Sequence, residues 1–448
     1  MKWFKEIGLI GSLALGLMAC NSESSNTIAI DDATLLHNSV LKLTDVQVHD
    51  IFSPPVASRI YAYPSIAAYE VMVNSSDTYI SLGGQLTDFT TPAAPEDGLE
   101  IHLPLASIYA YLEVGKTLIF SEEMIIEYRD EVLQEYTDAG FSSSVIEHSK
   151  SYGQKVADHI LAWADQDNYK QTRTFPKFSV NAETGRWVPT PPGYMEAIEP
   201  HWSQIRPFVL DSSNQFIPKK PTEYDLTEGS DFYKEVEEVY EVSKNLTDEQ
   251  IEIASFWDCN PYVMHTQGHV MFATKKITPG GHWMHIAEIV SRDAKQNMMD
   301  ATATYALTSI SIADAFISCW DEKYRSNLIR PETLINKYID DEWLPVLQTP
   351  PFPEYTSGHS VVSGAGGIAL THLFGDVHFV DSTEVKYGLP VREFDSFIEA
   401  SDEAAISRLY GGIHYMPAIV NGVEQGRSLG RYLVGKIQLK KTEDSKKG

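Results

Sequence analysis

The chain is poor in cysteine, poor in positive charge and almost without strand-like alternation, and beyond residue 19 it has no long hydrophobic run. Three cysteines in 448 residues cannot make the disulfide framework that staples small secreted domains. Lysine and arginine number 35 against 62 aspartates and glutamates, which leaves a net charge of −27. Such a surface repels phosphate backbones and anionic headgroups, which argues against nucleic-acid binding and against a polybasic membrane contact. The basic tail at Lys436, Lys440, Lys441, Lys446 and Lys447 reads as a solvated end. Any chemistry on an anion must therefore come from a local cluster of cations. Hydrophobic residues make up 43%, enough for a sizeable core.

The one apolar run lies at the start. Lys2 and Lys5 precede Ile7–Ala19, which is too short to span a bilayer, and Leu17-Met18-Ala19-Cys20 fits a bacterial lipobox. Residues 1–19 are thus expected to be a lipoprotein signal peptide, and 20–30 a flexible tether lipidated at Cys20. The mature protein is expected to be exported and held in the cell envelope by lipid alone.

The rest reads as all-α. Val145, Tyr152, Val156, Ile160 and Trp163 share one face of a 3.6-residue repeat. Thr247-Asp248-Glu249-Gln250 reads as a helix start, and Met284–Trp320 as one long helix or two abutting ones. Short strand candidates lie near Thr78–Leu82 and Val377–Val380. Between Asn168 and Thr227 prolines are frequent, but Trp187, Trp202, Phe208 and Phe216 are interleaved, so this stretch reads as an ordered crossover. It divides an N-terminal helical half (31–235) from a C-terminal half carrying the site (236–440), with a tail at 441–448. Cys259 and Cys319, beside tryptophan-rich helical sequence, read as buried free thiols without metal-site spacing. His265 and His269, an i, i+4 pair on an expected helix with His282 and His285 nearby, lack a carboxylate partner and read as capping and core residues. Gly364-Ala365-Gly366-Gly367 reads as close helix packing.

Three segments carry the chemistry: Trp320–Pro331, Phe352–Ser360 and Ser407–His414. Lys323 and Arg330 are seven apart, two helical turns, so both can leave one face of a helix that Pro331 then ends. Ser357-Gly358-His359 precedes a helical run from Val361, so it stands at a helix N-terminus with free N–H groups and a positive dipole end. Arg408 and His414 flank Gly411-Gly412. Together these offer three cations, a hydroxyl, a backbone N–H and two imidazoles, a receptor for a tetrahedral oxyanion.

The order K-x6-RP, SGH and SR-x5-H resembles the vanadium-dependent haloperoxidase and type-2 phosphatidic acid phosphatase superfamily, in particular its bacterial iodoperoxidase branch. The resemblance implies helical bundles around one vanadate. It implies that Lys323, Arg330 and Arg408 neutralise the vanadate oxygens, and that Ser357 and the Gly358 N–H bind them. His414 would be the vanadium ligand and His359 the acid–base group, with Trp320 and Phe352 lining an apolar halide pocket. The activity implied is oxidation of halide, iodide first and bromide next, by hydrogen peroxide to hypohalous acid. Thr356 replaces the family's usual proline, and Ala418 stands where an aspartate normally holds the far nitrogen of the second histidine. A backbone carbonyl or Glu424 could take over that bond. The missing aspartate disfavours the rival reading, a phosphomonoesterase with His414 as nucleophile. A third reading is a non-catalytic anchored oxyanion binder.

Overall fold

The computed structural model describes residues 29–441 apart from 182, 268 and 269, so the expected signal peptide, Cys20 and most of the tail lie outside the described residues. The described part is all-α, with only two short two-stranded ladders. At its centre runs the helix Met298–Ser326, buried over almost its whole length. Alanine, serine and threonine dominate its first two-thirds, and these small side chains let neighbouring helices approach closely. Three of the hydroxyls there bond back to their own helix, as Thr302 Oγ1 does to Met299 O at 2.8 Å, whereas those of Thr308 and Ser311 are buried without a partner among the described residues. Around it pack the wholly buried helix Pro54–Met72 and the helices Pro279–Asp293, Gly358–Phe374 and Met416–Lys436. The main core accordingly draws on residues from Leu35 to Ile437.

Glycine sets two of these contacts. A Cβ on Gly426 would lie 2.1 Å from Val361 O, so the helices Met416–Lys436 and Gly358–Phe374 touch backbone to backbone. A Cβ on Gly366 would come 3.1 Å from the Trp283 ring, whose Nε1 donates to Ser363 Oγ at 2.8 Å. The glycine-rich run is a packing surface, as the sequence suggested.

The proline-rich crossover is ordered by a buried carboxylate. Asp314, on the central helix, accepts the backbone N–H groups of Phe208, Val209 and Leu210 at 2.7, 2.8 and 3.1 Å. Trp187, Trp202 and Phe208 are buried beneath it. Burial raises the Asp314 carboxyl to about 6, while the three N–H donors pull the other way.

Of the two readings of Met284–Trp320, the structure has the pair of abutting helices, Pro279–Asp293 and Met298–Ser326, the second capped by the Asn297 side chain on Asp300 N at 3.0 Å. Other local expectations need correction. Lys323 and Arg330 do not share a helix: the central helix ends at Ser326 and Asn327 is left-handed at φ 49°. Pro331 opens the next helix, Pro331–Tyr338, because its missing N–H is no loss in a first turn. Around His265 there is a hairpin, Val263–Gln267 against Val270–Thr274, where a helix was expected; threonine and valine favour the extended chain. His265 is exposed and bonded to Thr274 Oγ1 at 3.0 Å, while His269 lies outside the described residues. Near Thr78–Leu82 there is one bridge, Tyr79 to Lys440, and near Val377–Val380 the strand Phe379–Asp381 pairs with Arg392–Phe394. Among the described residues no helix is long and apolar enough to cross a membrane.

Candidate active site

The three chemistry-bearing segments converge on one cavity of about 260 Å³, whose walls include Trp320, Phe352, Gly358, His359, Arg408 and His414. Each residue arrives from the end of an element. Lys323 sits in the last turn of the central helix and Arg330 caps the following one. Ser357 caps Gly358–Phe374 by accepting from Ser360 N at 3.3 Å, so its own O–H stays free to donate. Gly358 is the first helical residue, and its N–H belongs to the turn that has no helix carbonyl to bind. A Cβ there would fill the space beside Trp320 and Lys323, 3.7 and 3.9 Å away. Arg408 lies in the last turn of Phe397–Tyr410, and His414 follows Gly412, whose φ of 76° turns the chain back.

The cations are buried among one another. Lys323 Nζ gives hydrogen bonds to three carbonyls of one loop, Pro353 and Glu354 at 3.1 Å and Thr356 at 2.5 Å. All its donors are thus committed to the loop that carries Ser357 and Gly358. Arg330 donates from Nε to Phe352 O at 2.9 Å and from Nη1 to Ile413 O at 2.8 Å. Its Nη2 is buried without a partner among the described residues, and so is Arg408 Nε. Arg408 Nη1 donates to Trp257 O and lies 3.2 Å from His359 Nε2. Burial, with Arg330 adding to it, lowers Lys323 to about 8. Burial together with Arg408 lowers Arg330 to about 10, its neighbour Glu354 opposing. Desolvated guanidinium N–H groups without acceptors suit an oxyanion.

Both histidines are pushed toward the neutral form. Burial, reinforced by Arg330, Lys323 and Arg408, holds His414 well below the usual imidazole range, and burial with Arg408 and His282 does the same for His359. His414 has a defined tautomer. Its Nδ1 faces Glu354 Oε1 at 2.7 Å, so that nitrogen carries the proton and Nε2 keeps a lone pair, 3.2 Å from Arg330 Nη1. Glu354 is fully buried, also accepts Tyr415 N at 3.0 Å, and is raised by burial to about 8.

Glu354 is the carboxylate that sequence reasoning missed. Ala418 is buried and contributes only its carbonyl, which accepts Ser357 N at 3.1 Å. Glu424 is exposed beside Lys219 and takes no part, and no backbone carbonyl is needed at Nδ1. Since an oriented histidine is present after all, the objection to a histidine nucleophile drawn from Ala418 falls. Glu354→Ala is expected to weaken oxyanion binding by about 10- to 100-fold with Lys323, Arg330 and Arg408 in place, checked by equilibrium dialysis against vanadate. Thr356, at the family's proline position, bonds Gln425 Oε1 at 2.8 Å, and Gln425 Nε2 reaches Ser318 Oγ at 3.0 Å.

The apolar wall is built on the same cations. The Trp320 and Phe352 rings lie 5.0 Å apart, with Lys323 Nζ 4.9 Å and Arg330 Cζ 5.1 Å from the Phe352 centroid. Tyr262 also lines the cavity.

Residues 336–441 match the family model described as the VCPO second helical-bundle domain. A crystal structure of a bacterial vanadium-dependent iodoperoxidase is 52% identical, covers 93% of this chain and 99% of that one, and superposes with a TM-score of 0.88. The chain belongs to the vanadium-dependent haloperoxidase family. Holo- and apo-type bacterial vanadium-dependent chloroperoxidases share the haloperoxidase fold at 15% and 14% identity. Their TM-scores are 0.67 and 0.65; they cover 86% and 88% of this chain, and the matches take in 93% and 97% of theirs. No curated protein matches the chain. Like those relatives, this haloperoxidase is an enzyme of the peroxidase type, and its unpaired Arg330 and Arg408 N–H groups and the unprotonated Nε2 of His414, which here faces only Arg330 Nη1 at 3.2 Å, fit the vanadate that the family implies.

Proposed function

We propose that this haloperoxidase binds one vanadate and uses hydrogen peroxide to oxidise iodide, with bromide as a poorer substrate, to the hypohalous acid. The observation that supports the reading best is the pairing of His414, its Nε2 left unprotonated by the Glu354 contact at Nδ1, with two buried guanidinium groups that each keep one nitrogen without an acceptor among the described residues. Arg330, Arg408, the Ser357 hydroxyl and the Gly358 N–H would hold the oxygens, Lys323 would add charge while fixing the loop, and His414 Nε2 would be the vanadium ligand. Vanadium at +5 supplies Lewis acidity and needs no electron donor.

His359 is the proton carrier in this reading. Kept neutral by burial and by Arg408, its imidazole can take a proton from incoming peroxide and return it to the leaving oxygen. Iodide is large and sheds water easily, which suits a wall of Trp320 and Phe352. The iodoperoxidase likeness at 52% identity points the same way.

Sequence alone supports the remaining part of the reading, export and a diacylglycerol at Cys20. The mass of the mature N-terminus checks it. The activity is tested on protein freed of metals and oxyanions, with and without orthovanadate. Peroxide-dependent oxidation of iodide, bromide and chloride is measured beside hydrolysis of p-nitrophenyl phosphate. Vanadate-dependent oxidation, fastest with iodide, is expected. Ester hydrolysis that vanadate inhibits, without halide oxidation, would instead make His414 a nucleophile oriented by Glu354.

A further inference from the structure

Behind the cavity wall, three side chains meet that no part of the halide chemistry uses. Cys259 follows the helix Asp248–Phe256, His282 stands in the first turn of Pro279–Asp293, and Glu384 lies between the short strands Phe379–Asp381 and Arg392–Phe394. All three are buried. Cys259 Sγ is 3.4 Å from His282 Nδ1, Glu384 Oε1 is 3.5 Å from the same nitrogen, and the three atoms lie within 4.8 Å of one another. A tetrahedral zinc ion with ordinary bond lengths holds its sulfur and nitrogen ligands about 3.6 Å apart, and its nitrogen and oxygen ligands about 3.4 Å apart. The cluster already has those spacings.

Two further observations point to a cation. Both carboxylate oxygens of Glu384 are buried without a hydrogen-bond partner among the described residues; the His282 ring faces Oε1 at 3.5 Å, too long for a hydrogen bond, and a bound cation would meet the carboxylate directly. The other imidazole nitrogen, His282 Nε2, lies 2.8 Å from Asp381 Oδ2, and Asp381 Oδ1 is itself held by Thr383 N at 2.9 Å. That carboxylate–imidazole contact fixes one proton on Nε2 and aims Nδ1 at Cys259 and Glu384, the usual setting of a metal-ligating histidine. Against the opposing effect of burial, Asp381 and Cys259 hold the metal-free ring well above the usual imidazole range, so a cation would bind by displacing the Nδ1 proton. Thr383 Oγ1, 2.8 Å from Nε2, adds a second polar contact on the same side.

We propose that Cys259, His282 and Glu384 form a buried site for a zinc-class divalent cation, with Asp381 fixing the orientation of His282 and water completing the tetrahedron. A thiolate and an imidazole favour zinc over calcium or magnesium. The thiolate and the Glu384 carboxylate together balance its charge. The cation would tie three separated segments together at the rim of the oxyanion cradle. The His282 ring stacks on Trp257 at 4.4 Å, Trp257 O receives Arg408, and Cys259 itself faces the cavity. Spacing along the chain hides the site, since the ligands are 23 and 102 positions apart.

The test uses the full chain freed of metal by chelation, titrated with zinc alone and separately with cobalt(II) as its coloured substitute. One equivalent of zinc should bind. Cobalt should give a thiolate charge-transfer band that Cys259→Ser removes and that excess orthovanadate leaves in place. Cys259 alkylation, mapped by mass spectrometry on the unmutated protein, should slow by about 100-fold at zinc 100 times its dissociation constant, with Cys319 as the unaffected thiol. A cobalt spectrum without a thiolate band overturns the proposal whether or not the thiol is reachable by the alkylating agent. Fast alkylation of Cys259 that zinc does not slow would also overturn it, and would assign Cys259, His282 and Asp381 as an activated thiol.

Discussion

His414→Ala is expected to lower vanadate affinity by about a thousandfold or more, since losing only the partner of a metal-ligating histidine costs about 10- to 100-fold. Halide oxidation should vanish with it. The size of the effect follows from how many groups converge on one ring. Nδ1 is spent on Glu354 at 2.7 Å, and Nε2 is the one neutral donor atom with a lone pair set beside the Arg330 guanidinium. Arginine and lysine side chains attract an oxyanion through charge and N–H groups, but none of them can bond to its central atom. Truncation also strips Glu354 of one partner and leaves it with Tyr415 N alone. Some loss of thermal stability should therefore accompany the loss of binding, and circular dichroism must show the variant folded. Binding measured by equilibrium dialysis settles the matter. If His414→Ala held vanadate within about tenfold of the unmutated protein, a loss no larger than that of a partner alone, His414 would not be the ligand.

What could be read in the sequence is what lies close together in it. The segments around Lys323, Ser357 and Arg408 declare themselves because each packs several functional side chains into a few positions, and the fold brings all three to one cavity. Helix starts at Thr247 and Ser357 are legible for the same reason, polar residues next to the turn they begin. Glu354 was in view between Pro353 and Tyr355, yet its role is set by a contact across 60 positions that no spacing rule encodes. The search for a carboxylate after His414 ended at Ala418 because the loop before Ser357, not the helix after His414, supplies it. Asp314 is the same kind of case: an acidic residue in an apolar helix whose purpose is clear only once the crossover lies against it. Arg330 reaches the cluster of cations by another route than its spacing suggests. Two turns of helix were assumed between it and Lys323, whereas Asn327 breaks the helix and the loop carbonyls bring the two cations together.

His359→Ala should separate binding from turnover. Vanadate affinity is expected to stay within a few-fold, because Arg330, Arg408, Ser357, Gly358 and His414 remain, whereas turnover should fall by about 10²- to 10⁴-fold, the usual worth of a positioned acid–base group. The proposed assignment of proton transfer to this histidine, and not to His414, follows from their surroundings. His414 is committed at Nδ1 to a buried carboxylate, and in the proposed reading its Nε2 would be taken by the oxyanion. His359 faces the cavity, and its Nε2 lies 3.2 Å from Arg408 Nη1, which keeps it unprotonated between events. An imidazole held well below its ordinary range is a base ready for peroxide, and it becomes a strong acid once it has taken the proton. The same environment predicts that activity in the unmutated protein persists below the usual imidazole titration range, and that His359→Ala flattens whatever acid limb remains. Normal turnover in His359→Ala would show that the proton travels by another route, with Tyr262 on the cavity wall as the next place to look.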